Sequence, residues 1–132
     1  MLATGPVVAI LDDEPEMRKA LRRLLTCRGF RVKEYARGED LLAALDSHRL
    51  DYLLLDLHMT GVNGFDVLET FRSRKILTPV IVITAHDEPG TAEQVRALGA
   101  AGYLKKPVDR DALFAAIEVA RSFTPTPITP TP

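Results

Sequence analysis

The stretch YLLLDLHMTG, Tyr52 to Gly61, decides the fold. Three consecutive leucines read as a strand headed into a core, yet the run ends on Asp56. A carboxylate beyond a buried strand is costly unless something offsets its charge. What the chain needs from that acid depends on which other polar groups arrive at the same place.

Four further short runs accompany Tyr52–Leu55: VVAIL (Val7–Leu11), RVKEY (Arg31–Tyr35), VIVIT (Val80–Thr84) and GYLK (Gly102–Lys105). The first, third and fourth runs in chain order are continuously apolar, as parallel strands covered on both faces are. RVKEY alternates, which predicts a more exposed edge strand.

Helical patterns lie between the runs. Met17, Leu21, Leu24 and Leu25 repeat at helical spacing opposite Arg18, Lys19, Arg22 and Arg23, with Pro15 as a first-turn residue and Gly29 as a stop. A second helix is expected from Gly38 to about Ser47, a third over Phe65–Ser73, and a short fourth from about Thr91 to Leu98. The fifth spans Asp109 to about Arg121, opening on an aspartate cap and burying Leu113, Ile117 and Ala120. Cys27 is expected to be a partly buried helix residue. Strand and helix alternating five times predicts an α/β fold with a parallel sheet and right-handed crossovers.

The 132 residues suit one domain, expected over 7–122 after a short N-terminal extension (1–6). Residues 123–132 end in TPTPITPTP, whose alternating Thr and Pro form neither helix nor ladder; this is an extended tail or linker stub. Seventeen Lys and Arg against 18 Asp and Glu leave a net charge of -1, so no charge excess argues for nucleic acid or an anionic membrane. The single cysteine excludes an internal disulfide and points to a reducing compartment. MLATGPVVAILDDE lacks the basic start of a signal peptide, and no apolar run approaches the roughly twenty residues of a membrane span. A cytoplasmic protein is expected.

In an open parallel sheet, ligands bind beyond the carboxyl ends of the strands. The first run delivers Asp12-Asp13-Glu14 there, the third Asp56, the fourth Thr84-Ala85, and the fifth Lys105-Lys106-Pro107. Singly, each has an ordinary explanation: a turn-forming aspartate, a β-branched strand residue, a solvated lysine. Together they differ, because acids packed at one edge repel unless a cation intervenes. Carboxylate oxygens suit Mg²⁺. Zinc finds no ligand set, since His48, His58 and His86 are scattered and Cys27 is helical. A carboxylate-held magnesium beside a lysine and a hydroxyl is apparatus for a phosphoryl group. A GxxxxGK[ST] nucleotide loop is missing from the sequence.

Four motifs, ILDDE (Ile10–Glu14), LLLDLHM (Leu53–Met59, with Gly64 after it), VITA (Val82–Ala85) and YLKKP (Tyr103–Pro107), stand in order at these strand ends. In them the chain resembles the receiver domain of bacterial two-component response regulators, from about Val7 to Arg121. The resemblance implies a flavodoxin-like, doubly wound, five-stranded parallel sheet of order 2-1-3-4-5 with five helices. It makes Asp56 the phosphoacceptor, charged from a phosphohistidine on a sensor histidine kinase or phosphotransfer protein. It makes Asp13 a direct Mg²⁺ ligand, Asp12 an acid acting mostly through metal-bound water, and the His58 backbone carbonyl the third protein ligand. Lys106, directly before proline, matches the family's lysine rather than Lys105, and that Lys-Pro bond is commonly cis in the family.

Thr84 and Tyr103 resemble the family's switch pair, and the small Ala85 leaves access to the acceptor. The alternative for Tyr103 is a half-buried strand aromatic with its hydroxyl in water. Thr60 departs from a common proline, which implies a less rigid loop. His58 and His86 stand at variable positions that tune dephosphorylation in the family. The basic face of the first helix, with Arg18 and Arg22, resembles a kinase-docking surface, and the face formed by helix 4, strand 5 and helix 5 a homodimer or partner surface. Neither nucleic-acid contact by this domain nor membrane binding is implied.

The function so implied is a phosphorylation switch controlling an output domain, of transcriptional type, or a partner as a stand-alone regulator. It catalyses only its own phosphorylation and slow dephosphorylation. A Mg²⁺-dependent aspartyl-phosphate phosphohydrolase is the competing reading, but haloacid-dehalogenase-like enzymes place a second acid two residues after the nucleophile, where His58 stands here, and carry a cap insertion. A receiver-shaped module that no longer takes phosphate would have lost acids or lysine that this chain keeps.

Overall fold

The computed structural model describes residues 5–47 and 49–122. Residues 1–4 of the expected extension, His48 and the expected tail at 123–132 lie outside the described residues. Five strands, β1 (Val7–Leu11), β2 (Arg31–Tyr35), β3 (Tyr52–Asp56), β4 (Val80–Thr84) and β5 (Gly102–Lys105), form one parallel sheet of order β2-β1-β3-β4-β5. The alternating β2 is an edge, as its pattern predicts. Gly5 and Pro6 lie along it, their carbonyls accepting from the Arg31 side chain and backbone at 2.9 Å each.

The connecting helices are α1 (Pro15–Cys27), α2 (Gly38–Ala44), α3 (Gly64–Ser73), α4 (Thr91–Ala97) and α5 (Arg110–Arg121). Because side chains alternate along a strand, each central strand feeds two cores. Val7, Ala9, Leu11, Leu53, Leu55, Val80 and Val82 pack with Leu41, Val67, Leu68, Phe71 and Val95 from α2, α3 and α4. Val8, Ile10, Leu54, Ile81 and Ile83 pack with Leu21, Leu25, Leu113 and Ile117 from α1 and α5.

Several local expectations are corrected. α2 stops at Ala44 rather than Ser47; Leu45 and Ser47 donate to Leu42 and Ala44, so the chain tightens into three-residue turns. α4 ends at Ala97, and α3 begins at Gly64, one residue early, behind an Asn63–Asp66 capping box. The expected aspartate cap of α5 holds: Asp109 lies just before Arg110 and accepts from the Ala112 N–H at 2.9 Å. Cys27 is exposed, not partly buried. It lies two residues after the core residue Leu25, about 200° around the helix from it.

Register then builds the rim. Leu11 pairs with Leu55, so the next residues, Asp12 and Asp56, emerge side by side. Asp56 pairs with Ile83 and Thr84 with Lys105, which sets Thr84 and Lys106 one step further along the same edge. Among the described residues no helix is long and apolar enough to cross a membrane.

Candidate functional site

The acids converge. Asp12, Asp13 and Asp56 each present a carboxylate oxygen, all within 4.8 Å of one another. Asp12 and Asp56 are buried, at 2% and 5% exposure, while Asp13 is exposed. Lys106 enters the cluster with its ammonium 2.8 Å from Asp12 Oδ2, 3.2 Å from Glu14 Oε1 and 3.6 Å from Asp56 Oδ1. Of the two adjacent lysines, Lys105 points elsewhere, to Asp87 at 3.4 Å. The Lys106–Pro107 peptide bond is cis.

The backbone around Asp12 is fixed from three directions. Its carboxylate accepts from the Glu14 N–H at 2.9 Å, its carbonyl from Arg18 Nη1 at 2.7 Å, and its own N–H donates to Tyr35 O at 3.2 Å. Gly64 matters on the other side: a Cβ there would stand 2.7 Å from Asp56 O and Leu57 Cα, so only glycine lets α3 start so close to the end of β3.

The electrostatics follow from burial. The Asp56 carboxyl is raised from 3.8 to about 6, first by burial and then by the Asp12 charge; Lys106 and a His58 backbone hydrogen bond pull it down without prevailing, and Asp13 pushes it up again. For Lys106, burial alone would lower the ammonium, but the Asp12 hydrogen bond and the Asp56 and Asp12 charges outweigh it, and the net shift is upward. One ammonium is therefore not enough positive charge for the pocket. The donor set fits a hard cation: three carboxylates, among the described residues the only cluster of three or more acid, histidine or cysteine donors, with no nitrogen or sulfur ligand in it.

Thr84 is fully buried, and its hydroxyl accepts from the His86 N–H at 3.0 Å. Ala85, next to it, is exposed. The Tyr103 hydroxyl does not end in water. It donates to Asp87 Oδ1 at 2.8 Å, and burial together with this bond pushes the phenol up to about 12. Asp87, lowered chiefly by the same bond, is thus a shared partner of Tyr103 and Lys105. It escaped the sequence reading, as did Glu14 on Lys106. Asp87 had a signal in the pairing of β4 with β5, which sets the residues after Thr84 beside Lys105.

His58 and His86, scattered in sequence, come together in space as exposed rings with centroids 4.7 Å apart in an edge-on arrangement. On α1, Arg18 and Arg22 both reach Glu34 of β2, at 3.6 and 2.7 Å, and Arg18 is mostly covered.

Comparison with known proteins gives this geometry its family. Residues 8–118 match the model of the response regulator receiver domain. The chain belongs to that family. As a receiver domain it is 34% identical over 130 residues to the transcriptional regulatory protein TcrA of Mycobacterium tuberculosis, covering 97% of this chain and 51% of that protein. It is 36% identical over 117 residues to the transcriptional regulatory protein FixJ of Rhizobium meliloti, covering 89% and 57%. With the DNA-binding transcriptional regulator NtrC of Salmonella typhimurium it shares 36% over 116 residues, covering 88% and 25%. The receiver thus spans only about a quarter to somewhat over half of these relatives. The FixJ-N crystal structure superposes with a TM-score of 0.81 at 35% identity, covering 89% of this chain and 94% of that one. Receivers of this family work in two-component systems with kinases and output domains.

Proposed function

We propose that this receiver takes a phosphoryl group onto Asp56 from the phosphohistidine of a sensor histidine kinase or phosphotransfer protein. The observation that carries the reading is Lys106, set 2.8 Å from Asp12 and 3.6 Å from Asp56 in a pocket of three carboxylates whose Asp56 is lifted to about 6. An Asp56 oxygen attacks phosphorus in line as the phosphorus–nitrogen bond breaks and the donor imidazole keeps the electron pair. Lys106 supports charge on the phosphoryl oxygens. A Mg²⁺ held by Asp12, Asp13, Asp56 and the His58 backbone carbonyl would neutralise that charge further and lessen repulsion between acceptor and donor.

In the phosphorylated form the Thr84 hydroxyl turns to a phosphoryl oxygen, and Tyr103 leaves Asp87 to pack inward, favouring a second conformation. His58 and His86 flank the acceptor and tune hydrolysis by orienting water. The receiver occupies 7–122 of a cytoplasmic regulator, followed by a tail or linker at 123–132. Its readout is the surface of α4, β5 and α5, as a homodimer or with a partner, and its output is transcriptional, like that named for its relatives.

Intact-mass analysis after acetyl phosphate or phosphoramidate with Mg²⁺ tests this. The wild type should gain one phosphoryl group and Asp56→Asn none. An unchanged wild type, where another receiver is labelled, would overturn the reading.

A further inference from the structure

His58 and His86 come from different segments, the loop after β3 and the loop after β4, yet their rings touch edge-on with centroids 4.7 Å apart. Both are exposed, and among the described residues neither imidazole makes a hydrogen bond or an ion pair to another side chain. Each ring in its neutral form therefore offers one nitrogen lone pair, with no competing partner among the described residues. An ion about 2.0–2.1 Å from one nitrogen of each of two rings, at a tetrahedral angle, sets the ring centres about 5 Å apart. The present spacing is short of that by only a fraction of an ångström, so a rotation of two exposed side chains brings the donors to bear.

We propose that His58 and His86 form a two-nitrogen site for a borderline divalent ion of the zinc or copper class, separate from the carboxylate pocket. Ligand type divides the two places. Imidazole selects zinc, copper or nickel, whereas the Asp12–Asp13–Asp56 oxygens suit magnesium. With two protein donors the remaining positions are filled by water, so the site is open and of modest affinity. An ion held there fastens the loop after β3 to the loop after β4, the two segments that flank Asp56. The site does not require that Asp56 accept phosphate.

The test uses the tag-free, unphosphorylated chain in saturating Mg²⁺, with Zn²⁺ titrated calorimetrically and the histidine ring signals followed by NMR. One Zn²⁺ per chain should bind, shifting the rings of His58 and His86. His58→Ala and His86→Ala should each weaken binding by more than about tenfold, since each removes one of two donors. His48→Ala, which removes the third histidine, should leave binding intact. The proposal is overturned if Mg²⁺-saturated wild type binds no Zn²⁺, or if either single variant keeps full affinity. It is equally overturned if Asp13→Asn loses the ion while both histidine variants retain it, since that places Zn²⁺ in the acid pocket.

Discussion

The two rims of the sheet carry charged residues of similar kind and treat them oppositely. At the amino end, Arg31, Lys33, Arg49 and Asp51 line an open cleft of about 530 Å³. There Asp51 accepts from the Val7 N–H at 2.8 Å and pairs with an Arg49 whose side chain is 89% exposed. Water screens those charges, and they cost little. At the carboxyl end, Asp12 and Asp56 are withdrawn from water around a single Lys106 that is itself 11% exposed. Among the described residues every buried side-chain nitrogen or oxygen has a hydrogen-bond partner, so that rim lacks positive charge rather than hydrogen bonds. Buried charge that is only partly compensated marks the candidate site.

Stability separates the rims most strongly through their cations. Lys106→Met should cost about 3 kcal/mol by urea unfolding, because it leaves buried carboxylates unpaired. Arg49→Met at the other rim should stay within about 0.5 kcal/mol. Equal losses would erase the distinction.

Neutralising an acid should stabilise the carboxyl rim and not the amino one. The native Asp56 carboxyl holds its proton up to about 6 against 3.8 ordinarily, so native chains bind more protons than unfolded ones between those values. Stability therefore falls as pH rises through that window, and above it the charged Asp56 is a standing cost. Without Mg²⁺ at neutral pH, Asp56→Asn should be more stable than wild type by about 1–3 kcal/mol, a gain that fades as pH drops toward 4. Asp51→Asn should bring no such gain. A destabilised Asp56→Asn would contradict the burial cost assigned to that carboxylate.

How far the sequence carries differs between rims and between scales. The strands were legible because short, β-branched, continuously apolar runs such as VIVIT fit a doubly covered parallel strand. The meeting of Asp12, Asp56, Thr84 and Lys106 was legible too, since a parallel sheet aligns all carboxyl ends. Pairings that depend on side-chain direction were not. Tyr103 finds Asp87 sixteen residues away through the β4–β5 register. The two histidines meet only because the loops after β3 and β4 come together, and the early stop of α2 reflects local turn geometry that leucine spacing does not encode.

The smallest effect lies at the edge of the carboxyl rim. Asp87→Ala should let the Tyr103 phenol fall from about 12 toward 10.0, retaining the part due to burial, as read by NMR of its ring. Stability should change by less than about 0.5 kcal/mol, since the bond is exposed. An unmoved Tyr103 titration would deny Asp87 its hold on the ring.

The central claim is that burial leaves the carboxyl rim short of one divalent cation. Thermal unfolding with and without Mg²⁺ tests it most directly. The wild type should gain about 2–5 °C from millimolar Mg²⁺ and Asp13→Asn almost nothing. A wild type indifferent to Mg²⁺, or an Asp13→Asn chain stabilised equally, would contradict it.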